Sequence, residues 1–320
     1  MNGATAQVID RALRAAVRAP SPCNTQPWLF QVHGHRIELS LDRSRVLPVA
    51  DPDADEALLA CGAALCNLRI SLRAQDRVSL VDLQPDPQRP DLLAAVRVGG
   101  NRAATSTEYK LAEAIAKRHT NRRPFLDRAV PTPARHALAT AARTEGATLS
   151  YIDASARYST IARLVRRADQ VQQSTPEYAE EIARWTAGGA RRDDGVPDSA
   201  VGPPPDRERL LALRDYHRSA EFPSRTYEQQ PLVAAVLTTV PGRRSTIRAG
   251  AGMQRALLTA SQLGLSASFL SQPFEVPETR TELGALFEQE GVIHTLLRIG
   301  YGYPVTATPR RPVSDVIVPG

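Results

Sequence analysis

CGAALCNLRISLRAQ, residues 61–75, reads as part of a long helix that is apolar on much of its circumference. It has a counterpart in AGAGMQRALLTASQL, residues 249–263: Gly62 falls on Gly250, Ala63 on Ala251, Ile70 on Leu258 and Ser71 on Thr259. Each stretch is followed by a strand-like run, an intervening segment and a second strand-like run ending in Arg-x-Gly, AAVRVGG at 94–100 and TLLRIGY at 295–301. Two matching helix–strand–strand units predict a duplicated domain with pseudo-two-fold symmetry, as if the two subunits of a dimer had been fused. The repeat is short and alanine-rich, and chance similarity is the competing reading.

Outward from these helices the chain alternates helices and strands. AQVIDRALRAAVR (6–18) carries apolar residues at helical spacing and stops at Pro20. WLFQVHGHRIELSLD (28–42) reads as two strands around a turn at Gly34. Strands are expected at 77–83 and 92–98, and Thr105 with Glu108 forms a capping-box pattern ahead of a helix. Thr132-Pro133 and Thr175-Pro176 predict two further helix starts, on either side of a strand at TLSYID and a helix over 155–173. Residues 187–206 are rich in glycine, proline and acid without apolar period, which predicts a functional or mobile loop. PLVAAVLTTV and SASFLSQ follow as strands, and the apolar VIV at 316–318 predicts a tail that docks as an added strand. The class is α+β.

Composition narrows the partners. With 320 residues, 42% apolar and 23% charged, the chain has the balance of a globular protein with one large core or two ordinary ones. The net charge of +6 comes mostly from arginine, since only Lys110 and Lys117 are lysines, and the charges are scattered. Aromatics at 5% are too scarce for base-stacking platforms, so a phosphate-bearing small molecule is a better match to the arginines than nucleic acid. Cys23, Cys61 and Cys66 make neither a disulfide framework nor a metal site. No signal region or run of eighteen apolar residues is found, so a cytoplasmic protein without a membrane segment is expected.

Three stretches carry chemistry. RHTNRRPF (118–125) gathers three arginines, a histidine and a threonine, suited either to bidentate phosphate binding or to complementing a helix C-terminus. PRRPVSDVI (309–317) presents Arg310 and Arg311. PSPCNTQPW (20–28) has too many prolines for a ladder strand; its prolines fix the directions of Ser21, Asn24 and Gln26, while Trp28 fills the core. A nucleophilic Cys23 has no partner histidine. Gly250–Gly252 lies inside a helix and serves close packing rather than dinucleotide binding. The Glu180–Glu181 pair reads as a solvated helix face.

Together these stretches resemble the FMN-dependent nitroreductases. APSPCNTQPWLF, ACGAALCNLR, KRHTNRRPF and TPRRPV resemble, in that order, the signatures of the Acg family, nitroreductase dimers fused into one chain with one retained flavin site and a lid. The resemblance covers essentially the whole chain. It implies a nitroreductase fold duplicated in one chain, with mixed or antiparallel sheets and long central helices. The first half, 1–104, would give the proline loop; the second, 105–320, would give the arginine motif, a lid at about 175–230 and a C-terminal arm. It implies one FMN per chain. Arg118, Thr120 and Arg122 would meet phosphate and ribityl chain, with Arg310 or Arg311 closing on the phosphate. Pro20, Ser21, Cys23, Asn24 and Gln26 would border the ring, and backbone amides at Phe269, Leu270 and Ser271 would face flavin N5 and O4. His119 and Cys23 depart from the pattern, replacing an arginine and a histidine. No catalytic residue and no metal ligand is assigned. The implied activity is hydride transfer from NAD(P)H to a small electrophilic acceptor. The alternatives are an FMN store without turnover and a flavin-dependent biosynthetic dehydrogenase or oxidase. A monomeric pseudo-dimer or weak homodimer is expected.

Overall fold

Twenty residues from Asp55 to Ala74 form a helix, α2, whose start is capped from outside. The Asp51 carboxylate accepts the backbone N–H groups of Glu56 and Ala57 at 3.1 and 2.9 Å, two of the four donors a helix leaves unpaired at its N-terminus. Helix α7, Arg243–Gln262, is its counterpart, and the two cross at the aligned glycines. A Cβ on Gly62 would stand 2.1 Å from the Ile247 carbonyl oxygen, and one on Gly250 would stand 2.0 Å from that of Leu59. Only glycine admits backbone-to-backbone approach this close. By length and composition α2 is apolar enough to cross a membrane, yet 78% of its apolar stretch is buried, as befits a central core helix.

In this computed structural model, residues 3–152, 156–186, 192–202, 211, 214 and 230–319 are described. Helix α1 (Gly3–Ala16) leads into strands β1 (Trp28–His33) and β2 (Arg36–Leu41). After α2 come β3 (Arg77–Leu83), β4 (Leu92–Asn101), α3 (Ser106–Lys117) and α4 (Thr132–Arg143). Then follow β5 (Thr148–Ile152), α5 (Ala156–Gln173), α6 (Pro176–Thr186) and β6 (Leu232–Thr238). After α7 the chain forms β7 (Ser266–Phe269), α8 (Gln272–Glu275), α9 (Pro277–Ala285) and β8 (Val292–Gly300).

The strands form two four-stranded antiparallel sheets with one topology, β1-β2-β4-β3 and β5-β6-β8-β7. One irregularity matches as well. Arg97 pairs with Arg36 and Arg298 with Val233; three residues further along, each ladder skips one residue of its long strand, Leu93 in the first sheet and His294 in the second. A bulge re-aims a strand and is a built feature, so the same bulge at the same register in both sheets decides for duplication over chance. One large core joins α1, α2, α7 and the inner faces of both sheets.

Two segments tie the halves together. The tail returns to the first sheet: Phe30 N–H donates to the Val316 carbonyl at 2.7 Å and Val318 N–H to that of Phe30 at 2.9 Å, adding the tail parallel to β1. Residues after α3 lie along the second sheet, with Asn121 N–H donating to the Ala267 carbonyl at 2.9 Å.

Local expectations met mixed outcomes. The Thr105–Glu108 capping box is present with both of its bonds. Thr132 opens α4 from inside the helix, with Pro131 at the cap and no side-chain bond. The Thr175 hydroxyl bonds back to the Val171 carbonyl instead of capping α6. Glu181 is not solvated: it is fully buried, and its carboxylate accepts the backbone N–H groups of Val49 and Ala50 at 3.1 and 2.9 Å, fastening α6 to the first half. Of the lid expected over about 175–230, residues 187–191, 203–210, 212–213 and 215–229 lie outside the described residues.

Candidate functional site

Where the halves meet, a cleft of about 650 Å³ opens between Pro20–Cys23, the first turns of α2, residues Thr120 and Arg122, and the β7–α8 corner. A second cleft of about 720 Å³ adjoins it, walled by Arg118 and His119, and the two share Thr120 and Phe269. Pro20, Ser21, Cys23, Thr120, Arg122, Phe269 and Ser271 therefore face one space although they lie up to 250 positions apart in the chain. Ser268, Met253, Leu59, Glu56 and Glu275 complete the wall.

The proline loop is held in an unusual shape. Cys23, Asn24 and Gln26 have φ of 45°, 58° and 56°, the left-handed region that costs a non-glycine residue about 1–2 kcal/mol. Hydrogen bonds secure it from three sides. Ser21 Oγ accepts the Gln26 N–H at 2.9 Å. Asn24 Nδ2 donates to the carbonyls of Gly195 (2.9 Å) and Pro309 (3.0 Å), and its Oδ1 accepts Arg310 Nη1 at 2.9 Å. Gln26 Nε2 donates to the Asp193 carbonyl at 2.8 Å, and its Oε1 accepts the Arg311 N–H at 2.9 Å. Asn24 and Gln26 are thus clamps joining loop, roof and C-terminal arm, and neither lines the clefts.

The roof segment 192–202 is fitted closely. Gly195 has a φ of +73°, and a Cβ there would stand 2.6 Å from the Trp185 carbonyl oxygen. Arg45 bonds Asp194 at 3.0 Å and, like Arg192, lies over the Trp185 ring. Below, Cys23 packs with Leu47, Ala50 and Ile182. Burial pushes its thiol up to about 12, so it is a neutral, space-filling wall group at ordinary pH.

Positive charge concentrates at the other end. Burial first, then Arg122, lowers Arg118 to about 10; burial, then Arg118, Arg122 and Arg18, lowers Arg310 to about 9. His119 is lowered by burial and by Arg118, Arg310 and Arg18, so it adds no charge at neutral pH. Nε of Arg118 and Nε of Arg310 are buried donors without hydrogen-bond partners among the described residues. Buried guanidiniums that destabilise one another, with free N–H groups, suit a compact dianion such as phosphate. Arg311 is turned elsewhere: it donates to the Asp315 carbonyl and lies 3.8 Å from Asp42. The Leu270 side chain is buried in a separate core cluster, and its N–H donates to the Leu296 carbonyl, so only Phe269 and Ser271 of that trio line the cleft.

Sequence reasoning missed an acidic corner. Glu275 pairs with Arg214 at 2.6 Å and accepts Tyr178 Oη at 2.8 Å and Gln172 Nε2 at 2.7 Å. Glu56, on the same wall, is pushed well above the usual carboxylate range by burial and by Glu275 and Asp51. An acidic residue in a first helical turn looks like ordinary dipole complementation, so its sequence context carried no signal.

The pseudo-symmetric position shows what has diverged. The alignment that sets Gly62 on Gly250 sets Leu59 on Ile247, Met253 on Leu65 and Ser271 on Leu83, and these counterparts line another cleft, of about 760 Å³. There Arg244 stands for Glu56 and Arg248 for Ala60, and Arg244 donates to the Leu83 carbonyl. Thr144 and Glu145 wall it, the latter held by Arg69 and Arg255.

No family model matches the chain. Among curated proteins of Mycobacterium tuberculosis H37Rv it is 30% identical over 324 residues to "Putative NAD(P)H nitroreductase Rv3131", spanning 98% of this chain and 91% of that protein. The chain belongs to the nitroreductase superfamily. Within it the chain is of Acg type: "Putative NAD(P)H nitroreductase acg" of the same strain is 29% identical over 318 residues, spanning 98% of this chain and 96% of that one. A crystal structure of an Anabaena variabilis "putative nitroreductase" superposes with a TM-score of 0.50 at 10% identity, covering 95% of this chain and 90% of that one. That likeness shows the nitroreductase fold over 95% of this chain.

Proposed function

We propose that this nitroreductase-superfamily protein binds one FMN in the joined clefts and passes a hydride from reduced nicotinamide to a small electrophilic acceptor. The observation that carries the reading is the pair of buried donors without partners among the described residues, Arg118 Nε and Arg310 Nε, in one arginine cluster with Arg122; Arg122 lines the first cleft and Arg118 the second, while Arg310 lines neither and bonds the loop residue Asn24. Arg118, Arg310 and Arg122 would hold the phosphate, with Arg310 rather than Arg311 reaching it. Thr120, Ser21, Pro20 and Cys23 would border the rest of the cofactor, and the Phe269–Ser271 corner its redox-active edge. FMN, when bound, supplies two-electron redox chemistry; the chain supplies the anion site, the ring walls and the exclusion of water. The halves run from 1 to 104 and from 105 to 320 in this reading.

One structural observation favours sequestration as a second reading. Segment 192–202, which meets Arg122 at the Ala200 carbonyl, is fastened by Asn24, Gln26 and Arg45, and Glu181 fastens α6 to the first half; a nicotinamide whose path crossed that segment would have to displace it.

FMN titration followed by anaerobic mixing with NADPH tests both. Purified protein is expected to take up FMN, and Arg122→Ala and Ser21→Ala are each expected to weaken it about tenfold or more, the latter by releasing the Gln26 N–H and with it the strained loop. Protein that takes up no FMN refutes the reading; FMN that is held but never bleached by NADPH selects sequestration.

A further inference from the structure

Glu56 stands in the first turn of α2 with its carboxyl group on the cleft wall. The residue is 8% exposed, and its Oε2 has no hydrogen-bond partner among the described residues. Ser271 lines the same wall, and its hydroxyl is a minor influence in favour of the carboxylate. Among the described residues, the charges nearest to it are engaged with other partners. Arg214, the cation facing it, is ion-paired with Glu275, which also takes hydrogen bonds from Tyr178 and Gln172. Both oxygens of Asp51 accept backbone N–H groups, and burial pushes this neighbouring acid up to about 7. Across the cleft stand the neutral Cys23 thiol and Arg122. Burial first, then the neighbouring acids Glu275 and Asp51, favours the protonated acid, and the opposing Arg214 is already paired with Glu275. A neutral carboxylic acid that presents an unbonded oxygen to a cleft is a hydrogen-bond and proton donor, a state a solvated glutamate does not hold at neutral pH.

We propose that Glu56 is the proton donor of this cleft. The proposal rests on the hydride-transfer reading above, with an acceptor whose polar π bond ends in oxygen. As the hydride originating from reduced nicotinamide forms its new bond at the carbon or nitrogen end, the π pair of the acceptor moves to oxygen. The Glu56 O–H bond breaks, its proton goes to that oxygen, and the resulting carboxylate regains a proton from water. Glu56 shares the cleft wall with Ser271, at the corner that lies, on this reading, beside the redox-active edge of the cofactor. The pseudo-symmetric position carries Arg244, which cannot donate in this way because a guanidinium stays charged.

Two measurements test the proposal on the full chain. The first needs no turnover: a difference infrared spectrum between wild type and Glu56→Gln at pH 7 is expected to show a protonated-carboxyl carbonyl band that the variant lacks. The second uses FMN-loaded protein reduced by dithionite and mixed anaerobically with a water-soluble benzoquinone, so that reoxidation is read without nicotinamide. Glu56→Gln is expected to slow reoxidation about 100-fold and to flatten its fall toward high pH, with Glu56→Asp recovering part of the rate. A missing infrared difference, or a Glu56→Gln rate and pH profile equal to wild type, overturns the proposal. Absent bleaching by NADPH with a slow variant in the dithionite route removes the nicotinamide step and keeps Glu56. Protein that takes up no FMN removes the underlying reading and the donor role with it, whatever the infrared band shows.

Discussion

Replacing Gly250 with alanine tests the idea that the two halves are fitted together at one backbone contact. The added Cβ would lie 2.0 Å from the Leu59 carbonyl oxygen and 3.0 Å from the Gly62 Cα. A carbon–oxygen contact is comfortable at about 3.3 Å, so the helices must separate locally by roughly 1 Å. Both neighbours are backbone inside twenty-residue helices, and no side chain can swing away. A gap of about 1 Å forfeits up to half of each dispersion contact along the seam, and overpacking of this kind costs about 1–3 kcal/mol or more. Alanine also returns about 1 kcal/mol of helix propensity, which leaves a net loss of about 2 kcal/mol. With a urea slope of about 2–3 kcal/mol/M, the unfolding midpoint falls by nearly 1 M. Gly284, in α9, is the control: a Cβ there meets nothing within 4 Å, so Gly284→Ala is expected to raise the midpoint slightly. Equal or higher stability of Gly250→Ala, measured by urea titration of far-ultraviolet circular dichroism, would refute the close-crossing argument.

Further outcomes concern the roof and the surface. Glu181→Ala leaves the N–H groups of Val49 and Ala50 without their acceptors, and a loss of about 1–3 kcal/mol is expected, with faster hydrogen exchange confined to residues near 49–50 and α6. Unchanged exchange there would contradict the anchoring role. Glu108 is held down to about 2 by its hydrogen bond to Arg73, then by the Thr105 backbone and Arg102. Its folded value lies below its unfolded one, so its contribution is present above about pH 4.5 and is lost as pH falls toward 2. Arg73 and Glu108 are largely covered while Arg102 is half exposed, and a contribution of about 1 kcal/mol is expected. Glu108→Gln is therefore expected to be less stable than wild type at pH 7 and nearly equal at pH 2.5; a constant difference across that range would count against the ion-pair network.

The duplication was legible because glycines at a helix crossing admit no substitute, so the Gly62–Gly250 alignment survived where most of the repeat had drifted. The matched bulges at Leu93 and His294 had no such trace, because a bulge depends on register and not on residue type. In the site, Ser21, Thr120 and Arg122 were readable from motifs that place them. Asn24 and Gln26 read as ring-side groups, but their left-handed backbone turns both side chains toward the roof and the arm. Glu181 looked solvated beside Glu180; its partners are backbone amides 131 and 132 positions away, which no local pattern encodes. Glu56 and Arg214 were silent for the same reason: their chemistry comes from burial and from each other's neighbours.

The Gly62–Gly250 crossing joins two parts of a single polypeptide. In a two-chain dimer such a contact would come apart below a threshold concentration, and a pocket shared across it would empty on dilution. Here the partner surface is always present at the high local concentration that covalent linkage provides. Folding alone completes the cleft, at any abundance of the protein. A mutation on one side also leaves the other untouched, which is how Glu56 and Arg244 came to occupy equivalent places.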